Sequence, residues 1–160
     1  MSHNVKKIMI AVDFSDYTEP SVHYGIGLAK DLKASLLLVN IINSRDLMAV
    51  EKYLSMAEPV LYQKFIDDTH AARHSNLQNL LEKAAEQGVA GQKKIKTGVP
   101  YAELLAVIES DKPDLLIMGT KGRSNLADTI IGSCAHKMYR RCPIPLLSIR
   151  PQRKSAFPAS

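Results

Sequence analysis

Residues 114–133 read DLLIMGTKGRSNLADTIIGS, an apolar run followed by a loop with three glycines and then by a segment with helical periodicity. An apolar run of this length bounded by glycine is typical of a buried strand. Glycine is costly in regular structure and is usually kept where the backbone must adopt positive φ or let another group come close. The stretch therefore predicts one strand-to-helix unit whose connecting loop binds a ligand.

The rest of the chain also alternates apolar strands with amphipathic helices. One helix begins with Thr18 as its N-cap and Pro20 in its first turn, and a longer one covers residues 60–87 and ends at Gly88. Residues 43–58 are expected to be a polar connection with weak helical character. The predicted strands are residues 5–12, 35–42, 93–97, 114–118 and 144–149. Such alternation implies right-handed crossovers, and hence an α/β fold with an open, doubly wound, five-stranded parallel sheet and helices on both faces.

Length and composition predict a single domain. The chain has 160 residues, of which 46% are hydrophobic and 23% charged, as is ordinary for a soluble globular protein. We expect residues 1–150 to form the domain and residues 151–160 to be a disordered tail. No apolar run approaches the roughly 20 residues needed to cross a bilayer, and the N-terminal stretch lacks a cleavage site, so the expected location is cytoplasmic and no membrane contact is expected.

Cysteine and charge content add two expectations. Cys134 and Cys142 do not form a C-x-x-C motif and are expected to be reduced thiols on or just after the last helix. The formal net charge of +5 favours anionic ligands or partners, although the cations could equally be spread over a solvated surface. Nucleic acid is ranked last among them, because the sequence shows neither aromatic platforms nor a dense basic stripe.

Several candidate site residues fall at the carboxyl ends of predicted strands. Asp13, Ile41 and the loop that starts at Gly119 all lie there, where ligands bind in open α/β sheets. Gly132 and Ser133 lie at the start of the last helix, where unpaired backbone N–H groups favour a phosphate. We therefore expect these three stretches to form one phosphate-binding crevice.

Simpler roles remain open for the same residues. Asp13 could only cap its own loop, since aspartate is a common turn residue, and Ser133 could only cap the helix. Lys121 and Arg123 could be ordinary solvated charges. Asp13 lies beside the expected crevice, which favours a ligand role for it. The roles of Ser133, Lys121 and Arg123 stay open.

Most known phosphate and catalytic motifs are absent. The loop lacks the G-K-[ST] ending of a P-loop, and a dinucleotide fingerprint would follow the first strand and would need glycine at the position of Lys121. Gly119–Gly122 satisfies the G-x-x-G pattern of a KH module but leaves a strand instead of joining two helices. G-x-S-x-G and H-E-x-x-H are missing. We expect no enzyme, and any hydrolysis of a bound phosphate compound should be slow because only the phosphate cradle is visible.

The glycine loop does match the pattern G-x2-G-x9-G-[ST], through Gly119, Gly122, Gly132 and Ser133. Residues 10–15 (IAVDFS), 98–100 (GVP) and 114–120 (DLLIMGT) add further spaced matches in the same order. On these motifs, residues 4–150 resemble the universal stress protein family, specifically its ATP-binding branch. Asn40 stands where the family often has a histidine.

The resemblance implies the strand order 3-2-1-4-5 and an adenine nucleotide, ATP or ADP or AMP, with Mg²⁺ carried by its phosphates. It also implies a homodimer that pairs Ile144–Ile149 with its twin, an unidentified protein partner, and a ligand-dependent switch or adaptor in the stress response. The alternative is a protein-interaction module of the same family that binds no nucleotide. The implied contacts are Ala11, Val12, Asp13 and Ile41 for adenine, Met118 and Gly119 for ribose, and Lys121, Gly122, Gly132, Ser133, Cys134 and Ala135 for the phosphates.

Overall fold

The sheet has the architecture that the alternating pattern predicts. The computed structural model describes residues 4–54, 58–121 and 131–150. Their strands are β1 (Lys7–Ala11), β2 (Ser35–Asn43), β3 (Gly91–Gly98), β4 (Leu115–Gly119) and β5 (Leu146–Ile149). Every pairing between them is parallel, and the order across the sheet is β3-β2-β1-β4-β5. The doubly wound α/β fold and the order 3-2-1-4-5 are therefore confirmed.

Helices cover both faces of this sheet and bury its central strands. They are α1 (Thr18–Leu32), α2 (Ser44–Leu54), α3 (Pro59–Glu86), α4 (Pro100–Asp111) and α5 (Ser133–Arg141). On one face, Ile8 and Ile10 of β1 join a core with α1 and α3. On the other face, Met9 joins a core with α4 and α5. Because neighbouring residues of β1 are buried in opposite cores, this strand is apolar on both sides, as central parallel strands are.

Two expectations about helix starts are wrong. Thr18 is the first residue of α1 instead of its N-cap, which is Tyr17. The Thr18 hydroxyl donates a long hydrogen bond of 3.4 Å to Asp13 Oδ1, so it holds the preceding loop. Ser133 is likewise the first residue of α5, whose N-cap is Gly132, and no side-chain capping bond is present. The simpler role of Ser133 as a helix cap is therefore not what the structure shows.

The expected polar connection after the second strand contains a full helix. α2 has eleven residues, none of them buried, and it packs against α3 and the end of β2. The expectation of a polar connection with weak helical character is therefore wrong, since the segment is helical although none of its side chains is buried. The expected tail, residues 151–160, lies outside the described part of the chain. None of the described helices is long and apolar enough to span a bilayer, and a cytoplasmic location stays a prediction.

Candidate functional site

A crevice opens at the carboxyl ends of β1, β2 and β4, where the strand order reverses. Its volume is about 460 Å³, which falls within the size range of small-molecule sites. Gly122, the twelfth residue predicted from the sequence, lies in the segment 122–130 outside the described residues, as does Arg123. The other eleven predicted residues all line the crevice: Ala11, Val12, Asp13, Ile41, Met118, Gly119, Lys121, Gly132, Ser133, Cys134 and Ala135.

One wall of the crevice is the start of α5, which is fastened to the sheet. The Gly132 amide donates to the Thr120 carbonyl at 2.8 Å, and the Thr120 amide donates to the Ile149 carbonyl at 3.2 Å. The His136 amide donates to the Gly132 carbonyl at 2.9 Å and is the first of the helical amides with an intrahelical acceptor. Thr120 itself is only 3% exposed. The orientation of α5 relative to β4 and β5 is therefore set by backbone hydrogen bonds.

Three amides in the first turn of α5 remain available to a ligand. Within the described part of the chain, no acceptor lies within hydrogen-bonding distance of the Ser133, Cys134 or Ala135 amides. These amides carry the positive end of the helix dipole, and all three residues line the crevice. Such an arrangement favours an anion, and a phosphate group in particular.

Asp13 caps its own loop and also lines the crevice. Its Oδ1 atom accepts a hydrogen bond from the Ser15 amide at 3.0 Å and one from Thr18 Oγ1 at 3.4 Å, so it does cap the loop after β1. Its Oδ2 atom accepts no hydrogen bond from the residues described, and Asp13 lines the crevice. The next residue, Phe14, has a φ of 59°, which is unusual for a bulky side chain. The loop is thus held in a constrained backbone conformation beside the crevice.

Cys134 contributes a neutral thiol to the crevice wall. Burial and, to a smaller extent, the nearby Asp13 carboxylate raise the pKa of this thiol, Lys137 acts in the opposite direction, and the resulting pKa is about 11. Since only the thiolate is a good nucleophile, Cys134 reacts slowly at neutral pH. Both cysteines are free thiols, as expected.

Position 119 requires glycine because the side chain of Tyr17 packs against it. A Cβ atom built on Gly119 would lie 2.5 Å from Tyr17 Cβ and 2.9 Å from Tyr17 Cγ. The sequence suggested that this glycine leaves room for a ribose, whereas the space next to its Cα is taken by Tyr17. Tyr17 also lines the crevice, so the glycine shapes the site indirectly by allowing the tyrosine to pack there.

Asn40 forms a buried polar part of the wall. It is 2% exposed, and its Nδ2 donates to the Val12 carbonyl at 2.7 Å. Its Oδ1 atom is buried and has no hydrogen-bond donor among the described residues. An amide at this position therefore fastens the end of β1 to β2 directly behind the crevice.

Sequence reasoning missed nine residues that line the crevice. Two of them, Arg45 and Asp46, come from α2, and the Arg45 amide donates to Asn43 Oδ1 at 3.0 Å. Ligands bind at the carboxyl ends of strands in such sheets, but this rule points to Arg45 and Asp46 only when residues 44–54 are known to form a helix beside the end of β2. The remaining seven are Tyr17, Thr18, Val39, Asn40, Asn43, Pro100 and Leu104. Among the residues described, no group of three or more His, Cys, Asp or Glu side chains could hold a metal ion.

These features define a class of protein: an open-sheet α/β domain with a small-molecule crevice at the reversal of strand order. Residues 4–150 match the Universal stress protein family, and the chain belongs to that family. The family prediction made from the glycine pattern is therefore confirmed.

Individual relatives cover almost the whole chain. Universal stress protein YxiE of Bacillus subtilis is 27% identical in an alignment 150 residues long, and the match covers 90% of this chain and 98% of YxiE. The solved structure of MJ0577, from Methanocaldococcus jannaschii, has a TM-score of 0.77 at 21% identity over 94% of this chain and 99% of its own. The universal stress protein from Archaeoglobus fulgidus in complex with dAMP has a TM-score of 0.62 at 14% identity over 92% and 99%. These structural matches support the fold.

Proposed function

We propose that the chain binds an adenine nucleotide, ATP or ADP or AMP, and acts as a ligand-dependent switch or adaptor in the stress response. The observation that carries the proposal is the first turn of α5, whose three free amides line the same 460 Å³ crevice as Asp13. In this arrangement the phosphates bind the amides, and the adenosine lies across the end of β1. The dAMP complex of the related Archaeoglobus fulgidus protein supports an adenine-containing ligand.

Two cations of the crevice suit the phosphates, and they lie beside the carboxylates of Asp13 and Asp46, which line the same crevice. Lys121 and Arg45 both line it, and neither forms an ion pair with a carboxylate of the described chain. Their positive charge adds to that of the helix start, and Mg²⁺ would arrive bound to the phosphates. Ala11, Val12 and Ile41 provide the adenine side, and Gly122 belongs to the proposed phosphate loop.

A switch requires that the ligand binds one conformation better than another. The amides of α5 gain hydrogen-bond partners when an anion binds, which provides such a difference. Turnover is not part of the proposal, because phosphoryl transfer needs a positioned nucleophile as well as phosphate contacts. The Cys134 thiol, with its pKa raised to about 11, does not supply one.

The proposed assembly is a two-fold dimer through residues 144–149. Of the strands described, only β4 pairs with β5, so the outer edge of β5 is available to a second copy. Sedimentation of the protein at micromolar concentration should give the dimer mass, and a monomer would contradict this assembly.

The nucleotide proposal can be tested by removing a single backbone amide. Proline is favoured at the first position of a helix, and Gly132, with φ −68° and ψ 158°, has the extended conformation that precedes proline. Ser133→Pro therefore deletes one of the three free N–H groups while keeping α5. The matched control, Ser133→Ala, removes only the hydroxyl.

Isothermal titration with ATP, ADP and AMP should show affinity falling by about tenfold or more in Ser133→Pro, since hydrogen bonds to charged groups contribute about 1.5–3 kcal/mol. Ser133→Ala should lose about threefold or less. Equal affinity of Ser133→Pro and the parent would contradict binding at α5. No binding of any of the three nucleotides at millimolar concentration would contradict the function itself and favour the interaction module.

A further inference from the structure

The outer face of α5 carries a basic stripe, which we define as His136, Lys137, Arg140 and Arg141. These residues are all exposed, whereas Ala135 and Met138 of the same helix are 3% and 0% exposed. With 3.6 residues per turn, His136, Lys137 and Arg140 fall on the side of the helix opposite this buried pair, and Arg141 lies on the flank beside Met138. No acidic residue occurs between Ser133 and Arg141. The expectation from sequence that no dense basic stripe exists is therefore wrong.

The stripe is not neutralised by nearby acidic groups of the described chain. Across residues 4–54, 58–121 and 131–150, the ion pairs are Lys83 with Glu19 and Lys94 with Asp111. Both pairs involve other elements of the fold. Among the described residues, no carboxylate therefore forms an ion pair with the stripe.

Two of the cations are held in place by an aromatic ring of α4. Lys137 Nζ lies 4.5 Å from the centroid of the Tyr101 ring, and the Arg141 guanidinium carbon lies 5.1 Å from it. Both distances are within the range of a cation–π interaction. Like charges on flexible side chains would otherwise move apart, so Tyr101 keeps two positive groups close together. This reduces the entropy that a binding partner would have to remove.

We propose that the basic stripe docks an acidic segment of a partner protein. Charge complementarity identifies the chemistry of the partner, because four basic side chains without acidic neighbours fit a run of Asp and Glu. Nine helical residues span about 13 Å, which is the length of about four extended residues. Nucleic acid fits less well, since the Tyr101 ring that would stack on a base is already in contact with Lys137 and Arg141.

This docking surface uses other groups than the proposed nucleotide site, although Lys137 also acts on the pKa of Cys134 in the crevice. The crevice uses the first turn of α5, whereas the stripe lies on the outer side of the helix and extends to its last residues. Loss of nucleotide binding would leave the stripe intact. The two proposals can therefore fail separately.

The test measures binding of a fluorescein-labelled peptide of alternating Asp and Glu by anisotropy in low salt, about 50 mM, where surface charges are weakly screened. The stripe variant, Lys137→Gln with Arg140→Gln and Arg141→Gln, should bind about tenfold more weakly than the parent. The matched control changes Lys30, Lys52 and Lys64 to Gln. These are exposed lysines on other helices, so the net charge falls equally. Its affinity should change by less than about twofold.

Two additions keep the result interpretable. Arg140→Gln alone leaves both contacts to Tyr101 in place and should still weaken binding by about twofold to threefold, while the thermal midpoint stays unchanged. A single-stranded DNA of the same charge is titrated in parallel. Equal losses in the two triple variants, no binding of the peptide by the parent, or tighter binding of the DNA would each overturn the proposal.

Discussion

The reactivity of Cys134 should report directly on the environment of the crevice. With a pKa of about 11, only about one thiol in a thousand is ionised at pH 8, compared with about a quarter of a free thiol of pKa 8.5. The thiolate fraction of Cys134 is therefore roughly 240-fold smaller than that of the free thiol. This difference is partly offset, because a thiolate of higher pKa is about tenfold more nucleophilic. We therefore expect iodoacetamide to modify Cys134 about twentyfold more slowly than a free cysteine at pH 8.

The assay is alkylation followed by tryptic mass spectrometry, since cleavage at Lys137 and Arg141 places Cys134 and Cys142 on different peptides. A saturating nucleotide should slow Cys134 further, because the ligand covers the start of α5 and adds negative charge beside the thiol. Cys142 does not line the crevice and should be unaffected, which makes it the internal control.

Alkylation of Cys134 at the rate of a free thiol would refute the burial argument. Unchanged protection in the presence of a nucleotide that titration shows to be bound would refute its placement at α5. Raising the pH from 8 to 11 should accelerate modification of Cys134 throughout that range, because its thiolate fraction keeps increasing up to the pKa of about 11.

Two further predictions concern stability. Gly119→Ala should destabilise the fold by about 1–3 kcal/mol, because the new Cβ would lie 2.5 Å from Tyr17. Gly27→Ala has nothing within 4 Å of the new Cβ and should stabilise α1 by about 0.5–1 kcal/mol. Urea unfolding measures both changes, and equal effects would contradict the packing argument. The Lys94 ammonium lies 2.7 Å from Asp111, and its hydrogen bond lowers the pKa of that carboxyl. Lys94→Met should therefore lower the free energy of unfolding by about 1 kcal/mol at pH 7. This loss should shrink as the pH falls below about 4, because Asp111 then becomes protonated. A loss that does not depend on pH would refute the pairing.

Much of the candidate site could be predicted because the residues follow strand ends. Asp13 and Gly119 come directly after short apolar runs, and parallel strands bring their carboxyl ends to one edge. Arg45 was not found in this way, because it belongs to residues 43–58, which were expected to be a polar connection and contain α2. The reason for glycine at position 119 was also out of reach, since it depends on Tyr17, which is distant in the chain.

The basic stripe depends on both levels. The helical spacing of Cys134, Ala135 and Met138 already indicates the buried side of the last helix. Only the packing of α4 beside α5 shows that Lys137 and Arg141 both contact the ring of Tyr101.

The amino-acid sequence by itself determined the five strands, the helices other than α2, and their alternation, because these follow from hydrophobic period and from local glycine and proline chemistry. Only the tertiary structure decided that α2 lines the crevice, that Tyr17 occupies the space at Gly119, and that α5 leaves three amides free beside Asp13. Those features depend on contacts between residues that are far apart in the chain. The distances between such residues are set by the packing of the helices on the two faces of the sheet.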